Sequence, residues 1–152
     1  MTRRSLLTAL PFALLASLRA RAQSGAAART VTVYKDPSCG CCTNWSQLLQ
    51  KAGFAVTIRS ITDIDTAKYA VPPALHSCHT AIVDGHIVEG HVPVADVQRM
   101  LKQGSAVYGL SVPGMPVGSP GMEVSGVAAQ AYDVIAFDRT GKSRVFASYG
   151  RS

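Results

Sequence analysis

The hydrophobic pattern of the first half of the chain predicts alternating strands and helices. Residues 31–34 are β-branched or aromatic, as in a buried strand. Between residues 45 and 52, apolar residues recur every three or four positions, which predicts one buried face of a helix. Gly53 is placed to end that helix. Residues 54–60 alternate as in a second strand, and residues 63–70 predict a short helix before a pair of prolines.

The second half predicts a hairpin, a helix and a long loop. Residues 80–83 and 86–89 read as strands joined by Asp84-Gly85, a typical two-residue hairpin turn. The pattern over residues 93–104 predicts a helix that begins at Pro93 and ends at Gly104. Residues 110–123 hold so many prolines and glycines that we expect no regular structure there.

A final hairpin is expected over residues 132–137 and 143–148. The pattern therefore predicts an α/β protein with a β-α-β-α-β-β-α core, an irregular loop rich in proline, glycine and methionine, and a C-terminal β-hairpin. A strand that leads into a cysteine segment and then a helix is how a thioredoxin-like fold begins. A right-handed crossover would place the second strand beside the first.

The first residues predict a targeting segment rather than part of the fold. Residues 1–22 have the pattern of an export signal, and the pair Arg3 and Arg4 also fits a twin-arginine signal. The alternative, a retained membrane anchor, is disfavoured because the apolar stretch is short. We expect a periplasmic protein with residues 23–30 as a flexible leader and residues 31–152 as a thioredoxin-like domain. Once the signal is removed, no stable membrane anchor is expected.

The composition narrows the possible roles of the mature domain. Four of the 15 basic residues lie in the export signal, so the remaining eleven face nine acidic residues. The net charge of +6 therefore gives no support for nucleic-acid binding. A chain of 152 residues, 47% hydrophobic, buries a core without disulfides, and four cysteines are too few for a disulfide scaffold. The cysteines need another explanation.

The four cysteines are concentrated in two short segments. Cys39, Cys41 and Cys42 lie within four residues, and Cys78 lies between two histidines. Cys39 and Cys42 have the Cys-x-x-Cys spacing of a redox-active pair, and the following helix would favour their thiolates. A simple disulfide exchanger needs only two sulfurs, so the additional cysteines favour a soft-metal site.

Three interpretations of these cysteines stay open from the residues alone. Four thiolates can hold one Zn(II) or several Cu(I) ions, because thiolate selects soft metals and can bridge them. The same sulfurs can perform thiol redox chemistry without metal. They can also form one structural disulfide beside buried thiols. His79 and His76 are candidates to support or complete a metal site, and Met115 and Met122 are candidate thioether ligands in a loop that we expect to cover it.

Four segments resemble a known family. They are Cys-Gly-Cys-Cys within residues 34–42, Ser-Cys-His-Thr-Ala at 77–81, Glu-Gly-His-Val-Pro at 89–93, and the run through Pro-Gly-Met-Pro-Val-Gly-Ser-Pro-Gly-Met-Glu over 109–123. In order and spacing they are similar to the CopG-type periplasmic copper-resistance proteins, a family defined by a domain of unknown function. The resemblance extends from about residue 31 to residue 149.

The resemblance implies a function for the cysteines. Its Cys-x-Cys-Cys motif matches Cys39, Cys41 and Cys42, and its fourth cysteine matches Cys78. These residues would hold a small Cu(I)–thiolate cluster that interconverts with disulfide forms, in copper resistance or homeostasis. The partners would be copper ions and periplasmic copper-efflux or electron-donor proteins. Whether the chain is an enzyme, as a copper or thiol–disulfide oxidoreductase, stays open.

Two alternative functions are compatible with the same sequence. In the first, the chain is a thiol–disulfide oxidoreductase acting on proteins, in which Cys39 attacks the substrate and Cys42 resolves the mixed disulfide. In the second, the cysteines form a zinc-binding structural module.

Overall fold

The computed structural model describes residues 28–68 and 70–150. The predicted export signal, residues 1–22, and most of the predicted leader lie outside the described residues. None of the helices among the described residues combines the length and the hydrophobicity that spanning a bilayer requires.

The described residues form a seven-stranded sheet and two α-helices, which confirms the predicted α/β class. The strands are β1 (Thr30–Lys35), β2 (Ala55–Ser60), β3 (His79–Val83), β4 (His86–Glu89), β5 (Gly109–Ser111), β6 (Tyr132–Phe137) and β7 (Ser143–Tyr149). The helices are α1 (Gly40–Lys51) and α2 (Val94–Gln103). Short 3₁₀ turns occupy Ile64–Ala67, Pro73–Leu75 and Gly104–Ala106.

The strands are ordered β2-β1-β3-β4-β5-β6-β7 across the sheet. β1 is parallel to β2 and β4 is parallel to β5, whereas all other neighbours are antiparallel. The C-terminal ends of β1, β4 and β5 consequently meet the N-terminal end of β3 at one end of the sheet. We call this the cysteine end, because Cys39 follows β1 there and Cys78 precedes β3.

The core lies mainly between the sheet and the two helices. Val33 of β1, Trp45 of α1 and Met100 of α2 are all 0% exposed and belong to one apolar cluster. A smaller cluster on the other face joins Leu75 from the segment before β3 to Phe137 of β6. Burying such side chains contributes about 1.5 to 3 kcal/mol each, so both faces stabilise the sheet.

Three local predictions need correction. The helix expected over residues 63–70 is only the 3₁₀ turn Ile64–Ala67, because the following prolines leave too little chain for an α-helix. α1 begins at Gly40, five residues before the apolar pattern from residue 45 indicates, so Cys41 lies in its first turn. β5 occupies the start of the segment expected to be irregular, because β4 and β6 pair with it on both sides.

The irregular loop after β5 packs closely against α1. A Cβ atom added to Gly121 would lie 2.9 Å from the Trp45 backbone nitrogen and 3.0 Å from the Cys41 carbonyl oxygen. Gly121 also has φ +84°, a conformation that favours glycine. The loop thus covers the cysteine end, as the sequence predicts. It can approach α1 this closely only because Gly121 has no side chain.

We predict that Gly121→Ala destabilises the protein more than Gly126→Ala. Both glycines have left-handed φ, but an added Cβ at Gly126 meets nothing within 4 Å. Both variants bear the backbone strain, and only Gly121→Ala adds overpacking, which costs about 1 to 3 kcal/mol. Urea denaturation measures the difference, and equal losses for the two variants would contradict the close contact with α1.

A buried ion pair links the segment before β3 to β4. Lys68 Nζ lies 2.6 Å from Glu89 Oε1, and the two side chains are only 2% and 0% exposed. Two buried charges are tolerated because each neutralises the other, whereas loss of one partner leaves an uncompensated charge.

We predict that Lys68→Met lowers the free energy of unfolding by about 3 to 5 kcal/mol, because it leaves the Glu89 charge buried without its partner. The double variant Lys68→Met with Glu89→Gln should recover most of the loss, since no buried charge remains. Chemical denaturation of both variants is the measurement. A double variant as unstable as the single one would show that side-chain packing, and not charge, is responsible.

Candidate metal centre

The sheet topology brings the two cysteine segments together. Cys39 follows the C-terminal end of β1, and Cys78 directly precedes β3. Because β1 and β3 are antiparallel neighbours, the end of one strand lies beside the start of the other. α1 then carries Cys41 and Cys42 in its first turn, next to its free backbone N–H groups.

The four sulfur atoms form one cluster, which we call the four-cysteine cluster. The Sγ atoms of Cys39, Cys41, Cys42 and Cys78 all lie within 4.8 Å of one another. A disulfide joins Cys39 to Cys42, while Cys41 and Cys78 are free thiols. Cys42 is buried and the other three are half-buried, so the cluster lies just below the protein surface.

Two histidines border the cluster at Cys78. Its Sγ lies 3.0 Å from His91 Nε2 and 3.3 Å from His79 Nδ1. Both imidazoles are 0% exposed. Together with Cys42, these residues form a second group whose candidate ligand atoms all lie within 4.8 Å of one another. Sulfur and imidazole donors therefore converge on the same small volume.

A backbone carbonyl fixes the protonation of His91. Its Nδ1 lies 2.8 Å from the carbonyl oxygen of Pro120, and a carbonyl can only accept a hydrogen bond. Nδ1 therefore carries the proton in the neutral ring, which leaves Nε2 bare and facing Cys78. This is the form of histidine that binds a metal through Nε2.

Burial favours the uncharged forms of Cys78, His79 and His91 when no metal is bound. It raises the pKa of the Cys78 thiol to about 11, and the nearby Cys41 adds to the effect. Burial also lowers the pKa of His91 and lowers that of His79 well below its usual value. At neutral pH Cys78 is a thiol and both rings are neutral, so a bound metal must displace the Cys78 proton.

The buried ion pair contacts the chain on both sides of Cys78, through the Ser77 backbone and the Thr80 side chain. Glu89 Oε1 accepts the backbone N–H of Ser77 at 2.6 Å, and Glu89 Oε2 accepts the hydroxyl of Thr80 at 2.6 Å. Lys68 Nζ also approaches the Thr80 hydroxyl at 3.3 Å. Bonds to a charged carboxylate are stronger than neutral ones, so Cys78 occupies a firmly fixed position.

Trp45 closes the inner side of the site. Its indole Nε1 donates a hydrogen bond to the Val92 carbonyl at 2.8 Å, and its ring centroid lies 4.4 Å from that of His79. The loop residue Gly121 lies against the Trp45 backbone. An aromatic ring on one side and the loop above exclude water from the imidazoles.

The auxiliary candidates are distributed unequally around the site. His79 lies against Cys78, whereas the His76 ring makes a loop hydrogen bond from Nε2 to the Val71 carbonyl at 3.0 Å. Met115 is 54% exposed. Met122 is half-buried, one residue beyond the glycine that contacts α1. His79 is therefore the auxiliary candidate whose ring contacts a cluster sulfur.

Sequence reasoning did not assign a role to His91, although the hairpin register contains a signal for it. The Asp84-Gly85 turn pairs Thr80 with Glu89 across β3 and β4. Continuing the same register by two residues places Cys78 opposite His91. Facing residues in an antiparallel pair have side chains close enough to contact, as the 3.0 Å distance shows.

The arrangement offers two kinds of chemistry at one place. Four sulfurs within bonding reach can bind soft metal ions or form disulfides. Metal and disulfide compete for the same atoms, because a disulfide sulfur is a far poorer ligand than a thiolate. The imidazoles do not take part in disulfide formation and stay available in either state.

Comparison with known proteins identifies the family. A family model described as "Protein of unknown function, DUF411" matches residues 75–122, which include Cys78 and both imidazoles of the site. Among curated proteins, none matches this chain.

Two solved structures resemble the whole described fold. One, titled "Copper resistance protein copG- Form 2", is 42% identical, with a TM-score of 0.76 over 80% of this chain and 98% of that chain. The other, titled "Copper resistance protein copG- Form 1", is 43% identical, with a TM-score of 0.74 over 79% of this chain and 96% of that chain. The resemblance found in the sequence motifs is confirmed, and this chain belongs to the CopG copper-resistance protein family.

Proposed function

We propose that this chain is a periplasmic copper-binding protein that holds Cu(I) on the thiolates of Cys39, Cys41, Cys42 and Cys78. The observation that carries the proposal is the convergence of all four Sγ atoms within 4.8 Å. Cu(I) prefers thiolate ligands, and one thiolate can bridge two such ions. The copper-resistance titles of the two related structures support copper as the metal.

The start of α1 favours the thiolate state that copper needs. Cys41 and Cys42 lie in the first turn of the helix, where unpaired N–H groups and the helix dipole stabilise negative charge. No acidic side chain occupies that first turn to compete for these groups. The helix start therefore favours thiolates at Cys41 and Cys42, whereas Cys78 gives up its proton when Cu(I) binds.

We further propose that copper binding is coupled to thiol redox change. When the disulfide of an exchanging protein oxidises Cys39 and Cys42, their two thiolates pass two electrons to it, that disulfide takes up two protons from solvent and becomes a dithiol, and two of the four thiolate ligands are lost. Copper held by all four sulfurs in the reduced state is then bound by fewer. The redox poise of the compartment thereby controls how much Cu(I) the protein retains.

The proposal also includes a thioredoxin-like fold, a periplasmic location and a set of auxiliary residues. The order β2-β1-β3-β4, with α1 carrying a Cys-x-x-Cys pair at its start, supports a thioredoxin-like interpretation of the core. The export signal predicted for residues 1–22 would direct the protein to the periplasm. We propose His79 as a supporting residue beside Cys78, with Met115, Met122 and His76 as auxiliary positions from the surrounding loops.

We predict that the reduced mature protein binds more than one Cu(I) per chain under anaerobic conditions, because bridging thiolates can hold several ions. Cys78→Ser should lower the copper count by at least one ion, since it removes the ligand from the second segment. Native mass spectrometry of the loaded protein reads the count directly. His86→Gln serves as the matched control, because the His86 ring bonds the Val107 carbonyl instead of the cluster.

A count of zero or one Cu(I) in the reduced protein would contradict the proposal. One tightly held zinc ion, with loss of the thermal unfolding transition on its removal, would instead support the zinc-binding structural module.

A second candidate function is favoured by the disulfide itself. The Cys39–Cys42 bond closes at the start of a helix, and Cys39 is half-buried and so within reach of another protein's thiol. This is the arrangement of a thiol–disulfide oxidoreductase.

We predict that the copper-free protein reduces insulin disulfides only weakly, because Cys41 and Cys78 lie close enough to trap the attacking sulfur in alternative disulfides. Turbidity of insulin in the presence of dithiothreitol is the measurement, with Cys39→Ser as the inactive control. Strong activity that copper does not change and that Cys41→Ser preserves would favour the oxidoreductase instead.

A further inference from the structure

The end of the sheet opposite the cysteine end collects most of the exposed positive charge. β1 starts there, both helices end there, and the turn between β6 and β7 lies there. Of the eight exposed lysine and arginine residues within residues 28–68 and 70–150, six lie at this end. We call it the basic end, and its six cations are Arg29, Lys51, Lys102, Arg139, Lys142 and Arg144.

The carboxylates have the opposite distribution. Of the seven that are not buried, only Asp84 and Asp138 lie at the basic end. The other five lie towards the cysteine end, after β1 or β2, in the loop that covers α1, or at the start of β6: Asp36, Asp63, Asp65, Glu123 and Asp133. The basic end thus has a surplus of four positive charges, of which the C-terminal dipoles of the two helices offset about one.

The two carboxylates at the basic end are already engaged. Asp84 pairs with Arg29, and Asp138 accepts hydrogen bonds from the backbone N–H groups of Thr140 and Lys142. Four of the cations have no carboxylate within ion-pair distance among the described residues, and these are Lys51, Lys102, Lys142 and Arg144. Since their side chains are exposed, they can meet negative charges outside the protein.

The cations are spread over the whole basic end and are separated by clefts. A cleft of about 420 Å³ between the start of β1 and the ends of both helices is lined by Arg29 and Lys102. Lys142 and Arg144 line another of about 260 Å³, and Arg139 lines one of about 480 Å³. Seven strands about 4.8 Å apart make a sheet roughly 30 Å wide. Charges distributed over such a width match an extended anionic surface better than a small ligand.

Few large apolar side chains are exposed near these cations. Among the described residues, the exposed ones are Ile58, Met115, Val124, Val127 and Val145. Of these, only Val145 lies near the basic end. Interfaces between proteins usually bury aromatic or aliphatic residues at their centre, whereas basic surfaces are attracted to anionic lipid headgroups through charge. The composition of the basic end therefore favours a lipid surface over a protein partner.

We propose that the basic end docks on the anionic phospholipid headgroups of a membrane surface and thereby turns the cysteine end towards the aqueous compartment. Both helices run from the cysteine end to the basic end, so attachment at one end places the other away from the lipid. The same surface repels the carboxylates near the cysteine end, which favours this orientation. The attachment is peripheral and reversible, and it involves no covalent step.

The test uses the reduced mature protein from residue 23 onwards, because the basic and apolar residues of the predicted export signal would themselves bind lipid. At low ionic strength, vesicles of phosphatidylglycerol and phosphatidylcholine in equal parts should sediment the protein with a partition coefficient about tenfold or more above that of phosphatidylcholine alone. Raising the ionic strength from about 0.02 M to about 0.5 M should release it, because salt screens exposed charges.

Variants establish which charges are responsible. Lys102→Gln with Arg144→Gln should lower the partition coefficient about fivefold or more, because each change removes an exposed charge from the basic end. The matched control is Lys102→Arg with Arg144→Lys, which keeps both charges and should bind as the unaltered protein does. Adding Asp63→Asn and Asp65→Asn to the glutamine variant restores the total charge at the other end of the molecule. Its binding should stay weak, because the position of the charges matters.

Equal binding to neutral and anionic vesicles would overturn the proposal, as would full binding by the variant with restored total charge. Binding to polyglutamate without binding to vesicles would also overturn it and would indicate an acidic protein as the partner. Circular dichroism establishes that each variant is folded.

Labelling of the thiols with a maleimide tests the orientation. The labelling rate of the reduced protein should not change when anionic vesicles are added, because the cysteine end faces the solvent. Protection of the thiols would show that this end meets the lipid and would contradict the proposal. None of these measurements involves copper. Failure here therefore leaves the copper proposal standing, and a copper count of zero or one leaves this inference standing.

Discussion

Antiparallel pairing of β3 with both of its neighbours is the constraint on which the site depends. Pairing with β1 brings the residue before β3 next to the triplet that follows β1. Pairing with β4 brings the same residue opposite His91. Cys78 is thus shared by two groups of candidate ligands, and a change of register in either pairing would separate it from one of them.

The site combines candidate ligands that can be oxidised to a disulfide with candidate ligands that cannot. Sulfur atoms of the triplet can join each other in a disulfide, as Cys39 and Cys42 do here, and would then be lost as metal ligands. Imidazoles have no equivalent reaction. The site therefore offers both soft thiolate and harder imidazole donors, and only the sulfurs can be lost to disulfide formation.

Buried polar interactions account for the fixed position of Cys78. The Lys68–Glu89 pair is fully desolvated, and such a pair contributes little net stability. Its carboxylate, however, binds the backbone next to Cys78 and the hydroxyl of Thr80. The Pro120 carbonyl does the same for His91 from the opposite side. These contacts position Cys78 and His91, and they contribute less to the free energy of folding.

The sequence by itself determined the elements with strong periodicity and the chemistry of the cysteines. Strand β1, the β3–β4 hairpin, the two helices and the terminal hairpin follow from local patterns, and the cysteine spacing predicts soft-metal or redox chemistry. β5 was not predicted, because a strand of only three residues is too short to show an alternation of apolar and polar side chains. The start of α1 and the role of His91 also depended on the folded chain. Which atoms meet is decided by strand pairing between distant segments, and that pairing is settled only when the whole sheet forms.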